Sequence, residues 1–356
     1  MRSPVLADAP GSTGPEAHPI SGRGRKRRAS QTSVLFVFLD GVGLAPAGPD
    51  NPLSQVPMPH IQNLLGRSLV LESGKGTGEL ALGDAALDSD ELTMCALDAC
   101  LGVPGLPQSA TGQTSLFTGV NAPAWVGDHV TAYPTDRLRE VIATHSLLKR
   151  VAELGKRVLF ANAHSERFWQ MIDQRKRRLG ASTLTALAAG AEIPTLEDLI
   201  EGRAVLWDIT HEIASGHLGY QLPVVMPEDA GARLARLGAE YDLVLFESFL
   251  PDLAGHRRIE PEWVLSRLDA FLGAVLAHRS PNTTVVVCSD HGNLEDATTK
   301  AHTTNPVPLL VVGPAANSFR RATDITHVAP AILALFAGAE TGSDGGAGQR
   351  LHPAIS

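Results

Sequence analysis

The run Thr283-Thr284-Val285-Val286-Val287-Cys288 leads without a break into Ser289-Asp290-His291-Gly292-Asn293, and Lys300-Ala301-His302-Thr303-Thr304-Asn305-Pro306 follows a few residues on. A β-branched apolar run of this length predicts a buried strand over 281–288, so Asp290 and His291 fall where strand gives way to loop. That junction is where α/β proteins place ligand chemistry. Adjacent Asp and His offer a hard oxygen and an imidazole nitrogen at one point. His302 returns just ahead of a second apolar run, Val307-Pro308-Leu309-Leu310-Val311-Val312. Together the three donors read as a metal site, whereas a single Asp-His pair reads equally well as a loop cap.

The same pattern recurs outward along the chain. Val34-Leu35-Phe36-Val37-Phe38-Leu39 is apolar on both faces, as a central parallel strand requires, and Asp40-Gly41 arrives at its carboxyl end. Asp242-Leu243-Val244-Leu245-Phe246-Glu247-Ser248-Phe249 predicts another strand, delivering Asp252 and His256; four residues apart, these share one side of a helical turn. Residues 96–101 fit either a short strand or a helix end. After Pro104-Gly105-Leu106-Pro107, the small and apolar residues from Ala110 wind as a helix ending near Gly119, with Ser109 at its N-terminus. Free N–H groups there favour an anion beside the Ser109 hydroxyl, although a lone Ser is also an ordinary cap.

Helical spacing over 146–155, 228–241, 261–278 and 324–336 alternates with these strands and with one over 157–161. The fold class is therefore α/β, a mostly parallel central sheet flanked by helices. The irregular stretch 162–227 reads as a small inserted cap, which leaves 32–161 and 228–356 as one core domain.

At 356 residues and 44% hydrophobic content the chain can bury a large core. Residues 1–31 are rich in Pro, Gly and Ser and hold Arg23, Arg25, Lys26, Arg27 and Arg28, which predicts a disordered N-terminal extension without a signal peptide's apolar segment. That stretch carries six Lys/Arg and two Asp/Glu, leaving 24 basic against 36 acidic residues elsewhere, a net of −12. An acidic body argues against a nucleic-acid face. No run reaches the roughly 18 apolar residues of a membrane span. Three cysteines, with Cys288 inside an apolar strand, argue against a disulfide framework and for a cytoplasmic location.

Asp40, Ser109, Asp252, His256, Asp290, His291 and His302 thus gather on one edge of the expected sheet. Carboxylates and imidazoles suit Zn or Mn, and two divalent metal ions about 4 Å apart can clamp the attacking and leaving oxygens of an in-line displacement. Asp40-Gly41, Ser109-Ala110-Thr111-Gly112, Asp252 with Gly255-His256, Asp290-His291-Gly292-Asn293 and Ala301-His302-Thr303-Thr304 resemble the metal-site motifs of the alkaline phosphatase superfamily. The nearest branch is that of cofactor-independent phosphoglycerate mutase and phosphopentomutase. The likeness runs in order from residue 32 to about 335 and leaves the cap uncovered. It implies that one metal is held by Asp252, His256 and His302, and the other by Asp40, Asp290, His291 and the nucleophile Ser109, with Thr111 the alternative hydroxyl.

What the resemblance implies for activity is phosphoryl transfer from a small-molecule phosphate ester through a phosphoserine, ending either in water or on a second hydroxyl. Gly255-His256-Arg257-Arg258 is similar to phosphopentomutase, and 300–306 to the phosphoglycerate mutase. The mutases place His four residues after the nucleophile; here that position is Gln113, which hydrogen-bonds but cannot shuttle a proton. The stretch 162–227 is also short for a mutase cap, which must exclude water while the substrate reorients. Gln113, Asn51 and Arg167 are candidates for substrate contact. Asn51 is equally explained by an Asp-Asn-Pro turn, and Arg175 to Arg178 by a solvated basic face. His164, His211 and His217 stay off the metal set. A non-enzymatic metal-binding module is the alternative of a different class, and missing ligands would mark it.

Overall fold

The computed structural model describes residues 32–338 except 73, 75, 82–89 and 218. The N-terminal extension expected over 1–31 and the last part of the core segment, 339–356, lie outside the described residues. Seven strands form one sheet: β1 (Ser33–Leu39), β2 (Gly78–Glu79), β3 (Leu92–Leu97), β4 (Val158–Phe160), β5 (Leu243–Ser248), β6 (Thr283–Cys288) and β7 (Val307–Val312), in the order β2-β3-β7-β6-β1-β5-β4. β4, β5, β1 and β6 run parallel, while β7 is antiparallel to both β6 and β3.

Every residue of β1, β3, β5, β6 and β7 is buried, which is why these strands read as mainly apolar runs. Successive side chains alternate between two cores. Leu35, Val37, Val244, Phe246, Val285 and Val287 face the helices Pro227–Glu240 and Pro261–His278. Val34, Phe36, Phe38, Leu245 and Val286 face the helices Ser109–Thr118 and Val328–Ala337. The result is a helix–sheet–helix sandwich.

Strand direction fixes where the chemistry goes. β1, β5 and β6 all end at one edge of the sheet, releasing Asp40, the short Leu250–Gly255 helix that carries Asp252, and Asp290-His291. The link from β6 to β7 holds no crossover helix, so the chain can only fold back antiparallel. β7 therefore starts at the edge where β6 ends, and His302, just before it, joins the other ligands. The strand expected within 96–101 lies four residues earlier, at Leu92–Leu97. Asp98 terminates it by accepting from Cys100 N at 2.8 Å and Leu101 N at 3.1 Å, an Asx turn that apolar content alone does not reveal.

The segment 162–227 has a small apolar cluster of its own, Ala163, Leu199, Ala204, Leu206 and Ala214. It is also sewn into the core. Ala181 and Ala186 join one apolar layer, and Val205 and Ile209 the other. Val205 further pairs with the chain beyond β4, donating to Ala161 O at 2.8 Å and accepting from Ala163 N at 3.0 Å. Among the described residues no helix is long and apolar enough to cross a membrane.

Candidate metal centre

Ser109 is the first residue of its helix. Gln108 precedes it without a side-chain cap, and the first helical hydrogen bond runs from Gly112 N to Gln108 O at 2.8 Å. The amides of Ser109, Ala110 and Thr111 therefore have no intrahelical acceptor and present partial positive charge beside the Ser109 hydroxyl. Ser109 Oγ lies 3.0 Å from His291 Nε2. The same nitrogen stands 3.2 Å from Asp40 Oδ1 and 3.6 Å from Asp290 Oδ2. Hydroxyl, imidazole and two carboxylates thus converge on one small volume. Thr111 is fully buried; its hydroxyl donates to Gln108 O at 3.2 Å and accepts from Val130 N at 3.2 Å, so it is engaged away from this point.

Asp252 assembles the second group. Its Oδ1 lies 3.3 Å from His256 Nε2 and 3.6 Å from His302 Nε2, and it accepts from Asn293 Nδ2 at 3.0 Å. The other ring nitrogens are anchored: His256 Nδ1 is 2.7 Å from Lys300 O and His302 Nδ1 is 2.8 Å from Pro107 O. A backbone carbonyl can only accept, so each Nδ1 carries the proton and each Nε2 lone pair faces the carboxylates, the arrangement of metal-ligating histidines. The rings of His291 and His302 stack at 3.7 Å, joining the two groups. All seven expected ligands are thereby brought to one place. His291 stands in both of the tightest donor groups, Asp252-His291-His302 and Asp40-Asp290-His291.

Close backbone approach makes this convergence possible. A Cβ on Gly41, whose φ is +77°, would come within 2.8 Å of the Asp252 backbone, and one on Gly112 within 2.8 Å of Asp290 O. Gln113 Nε2 donates to Asp40 Oδ2 at 3.0 Å, so Gln113 orients a ligand.

The donor set fits divalent cations. Asp40 Oδ1 and Asp290 Oδ2 are buried and receive no hydrogen bond, although His291 Nε2 stands near both. Buried carboxylate oxygens without a protein donor call for another partner, and a bound cation fits that need. Burial holds the Asp290 carboxyl well above the usual range, and the Asp40 charge adds to it. Burial likewise raises Asp252. His291 is opposed by burial, yet Asp290 and Asp40 outweigh this and push its imidazole up to about 10. Burial and the His291 charge pull His302 down to about 4. Cations bound among these carboxylates would relieve the cost that raises Asp290 and Asp252.

A cleft of about 560 Å³ opens over Asp40, Ser109, Gln113, Asp252, His256 and His302. Its far wall holds His164, Phe168, Arg177, Arg178, Ser182, Thr183 and Glu247, with Arg258 at the rim. Arg177 lies over the Phe168 ring at 4.9 Å, and Phe168 stacks on His164 at 4.1 Å. Two sequence expectations fall elsewhere. Arg167 is exposed and outside the cleft lining; Arg177 and Arg178 are exposed, as a solvated basic face requires, and also line the cleft. The helix Glu166–Asp173 stops in a left-handed turn at Arg175, φ +55°, and this redirects the arginines that follow. Asn51 is 3% exposed; its amide donates to Ala45 O and Pro46 O at 3.1 Å and its Oδ1 caps Leu53 N at 3.0 Å, so it is a turn residue.

Two buried acids near the site carry no sequence signal strong enough to single them out. Glu247 interrupts the apolar run of β5 at its carboxyl end, the position that marked Asp40, and Glu295 follows the Asp-His-Gly-Asn stretch by two residues.

A family profile described as "Metalloenzyme superfamily" matches residues 32–339. Among curated proteins, the 2,3-bisphosphoglycerate-independent phosphoglycerate mutase of Cereibacter sphaeroides is 34% identical over 119 residues, 31% of this chain and 24% of that protein. The enzyme of the same name from Rhodopseudomonas palustris is 31% identical over 163 residues, 42% of this chain and 30% of that protein. The chain thus spans less than a third of the length of these relatives. Among solved structures, the alkaline phosphatase of the Antarctic bacterium TAB5 aligns with a TM-score of 0.46 at 14% identity, covering 86% of this chain and 98% of that one. With the matched region taking in every strand and every candidate ligand, the chain belongs to the Metalloenzyme superfamily.

Proposed function

We propose that this protein is a phosphoryl-transfer enzyme that uses two divalent metal ions, Zn or Mn, and Ser109 to cleave a small-molecule phosphate ester, with hydrolysis favoured over return of the group to substrate. The observation that carries the reading is the Ser109 hydroxyl at a helix N-terminus, 3.0 Å from His291 Nε2 and beside the unsatisfied oxygens of Asp40 and Asp290. Asp40, Asp290, His291 and Ser109 would hold one ion and Asp252, His256 and His302 the other. Bound there, the ions lower the pKa of the attacking hydroxyl and neutralise charge on the transferring group.

The chain's own groups do the rest. Ser109 Oγ forms the new bond to phosphorus as the ester oxygen departs and takes up a proton, leaving a phosphoserine. The free amides of Ser109, Ala110 and Thr111 point toward the phosphoryl oxygens. Gln113 keeps Asp40 in place through its 3.0 Å hydrogen bond. Arg177, Arg178 and Arg258 line the cleft with no acidic partner among the described residues, which suits a second anionic group on the substrate. Water then attacks phosphorus, Ser109 regains its proton and inorganic phosphate leaves.

Two features support hydrolysis. Gln113 replaces the proton-shuttling His, and the cap of residues 162–227 leaves exposed arginines along an open cleft. The thiols Cys95, Cys100 and Cys288 are unpaired, which supports a cytoplasmic setting. The test is turnover in ¹⁸O-labelled water with a panel of phosphate esters and added Mn or Zn. Label in released phosphate is the expected outcome; an isomerised ester without released phosphate would make the protein a phosphomutase instead.

A further inference from the structure

Glu295 is 1% exposed and lies beneath the ligand cluster. Its Oε2 accepts from Gly43 N at 3.0 Å and Asn293 N at 2.8 Å. Its Oε1 accepts from Asn305 Nδ2 at 3.0 Å and, at short range, from the Thr303 hydroxyl. These four donors come from two connections: the one after β1 that follows Asp40, and the β6–β7 link, whose first part holds Asp290 and His291 and whose last part holds His302. Cβ atoms on Gly43 or Gly292 would collide with the carboxylate, so two glycines form a cradle only this close approach requires. Four donors thus converge on one carboxyl group, and hydrogen bonds to charged groups are about twice as strong as neutral ones.

We propose that Glu295 is a positioning residue whose carboxylate, shared among the Gly43 and Asn293 amides and the Thr303 and Asn305 side chains, locks the three ligand-bearing segments, one after β1 and two in the β6–β7 link, into one unit before any metal arrives. It touches neither substrate nor ligand side chain. Its effect is preorganisation: ligands held in place need no ordering when the ions bind, so affinity rises without an added metal contact. The inference rests on the two-metal reading, but the loop lock itself exists without metal and can be measured without it.

The two carboxylate oxygens serve different segments, so variants can separate them. In Glu295→Gln the amide oxygen can still serve Gly43 and Asn293, while its NH₂ turns to the Thr303 hydroxyl and a reoriented Asn305 amide. The Asp40 and Asp290-His291 segments then stay joined and only the His302 arm is rearranged. Thr303→Val removes one of the two bonds that tie the His302 arm and touches no other segment, and Glu295→Ala removes all four bonds. Hydrogen exchange on chelator-treated protein should show the amides of Gly43 and Asn293 losing protection in Glu295→Ala but keeping it in Glu295→Gln and Thr303→Val. Titration with Zn²⁺ and Mn²⁺ should show both sites weakened about 10- to 100-fold in Glu295→Ala. The other two variants should show one site weakened and one retained. Should Glu295→Ala fail to fold, the Gln and Val variants still decide. Wild-type binding at both sites in Glu295→Gln and Thr303→Val would overturn the proposal, as would unchanged Gly43 and Asn293 protection in a folded Glu295→Ala. If the wild-type protein binds neither metal, the metal reading fails while hydrogen exchange still judges the loop lock.

Discussion

Replacing Glu247 by Gln should stabilise the metal-free protein, and by more at alkaline pH than at acid pH. Glu247 closes β5 at 7% exposure, its backbone clamped by Asn162, whose amide donates to Glu247 O at 2.7 Å and whose Oδ1 accepts from Glu247 N at 2.8 Å. Its Oε2 accepts from Ser182 Oγ at 2.5 Å. Burial, outweighing that hydrogen bond and reinforced by the Asp40 charge, pushes its carboxyl from 4.5 up to about 8. Between those values the folded protein retains a proton that the unfolded chain has released. Stability therefore falls as pH rises through this window, by up to about 1.4 kcal/mol per pH unit and about 5 kcal/mol in all. Gln keeps the volume and the acceptor for Ser182 but cannot ionise. Urea unfolding of chelator-treated wild type and Glu247→Gln at pH 5, 6, 7 and 8 should show near-equal stability at pH 5 and a widening advantage for the variant. A gap that stays constant across the series, or a more stable wild type at pH 8, would refute the reasoning.

Ser109→Ala should lose at least about 10³-fold in turnover, since the attacking group is gone, yet still take up metal; peptide mapping of substrate-treated wild type should find phosphate on Ser109 and not on Thr111. Asp290→Asn should raise the stability of metal-free protein by easing repulsion with Asp40, while removing one site's share of the gain that added metal gives the wild type, about 2.7 kcal/mol per site at 100 times Kd; thermal melts with and without Zn²⁺ check both halves. Gly255→Ala drives a methyl into the Asn293 amide, which holds Asp252. It should cost about 1–3 kcal/mol of stability and lower metal content measured by elemental analysis.

The parts of this structure that the sequence announces are those with a local cause. A strand buried on both faces must be mainly apolar, so β1, β5 and β6 stand out, and an acid at the end of such a run can be assigned to the sheet edge before the fold is known. The helix start at Ser109 follows from the Pro-Gly break ahead of it. What stayed hidden depends on direction or on distant partners. Nothing in Val307 to Val312 says that β7 runs antiparallel; that follows from a return loop too poor in helix to cross over. Arg177 and Arg178 reach the cleft because the chain reverses at Arg175, a turn that a run of four basic residues does not announce. Glu295 looks like any loop acid until donors from Gly43 and Asn305, hundreds and tens of residues apart in order, meet on it.

Among the described residues, each margin of the sheet carries a feature that limits further pairing. On one side β2 is only two residues long, with Glu79 bound to Arg320 at 3.2 Å. On the other, Val205 occupies the hydrogen-bonding groups of Ala161 and Ala163 just past β4. An open row of strand amides invites a second chain to add on, the first step toward insoluble assemblies. Here the excursion that carries the cleft's arginines also limits pairing at that margin, so a variant that loosens Val205 would be expected to precipitate on concentration even with its metal ligands intact.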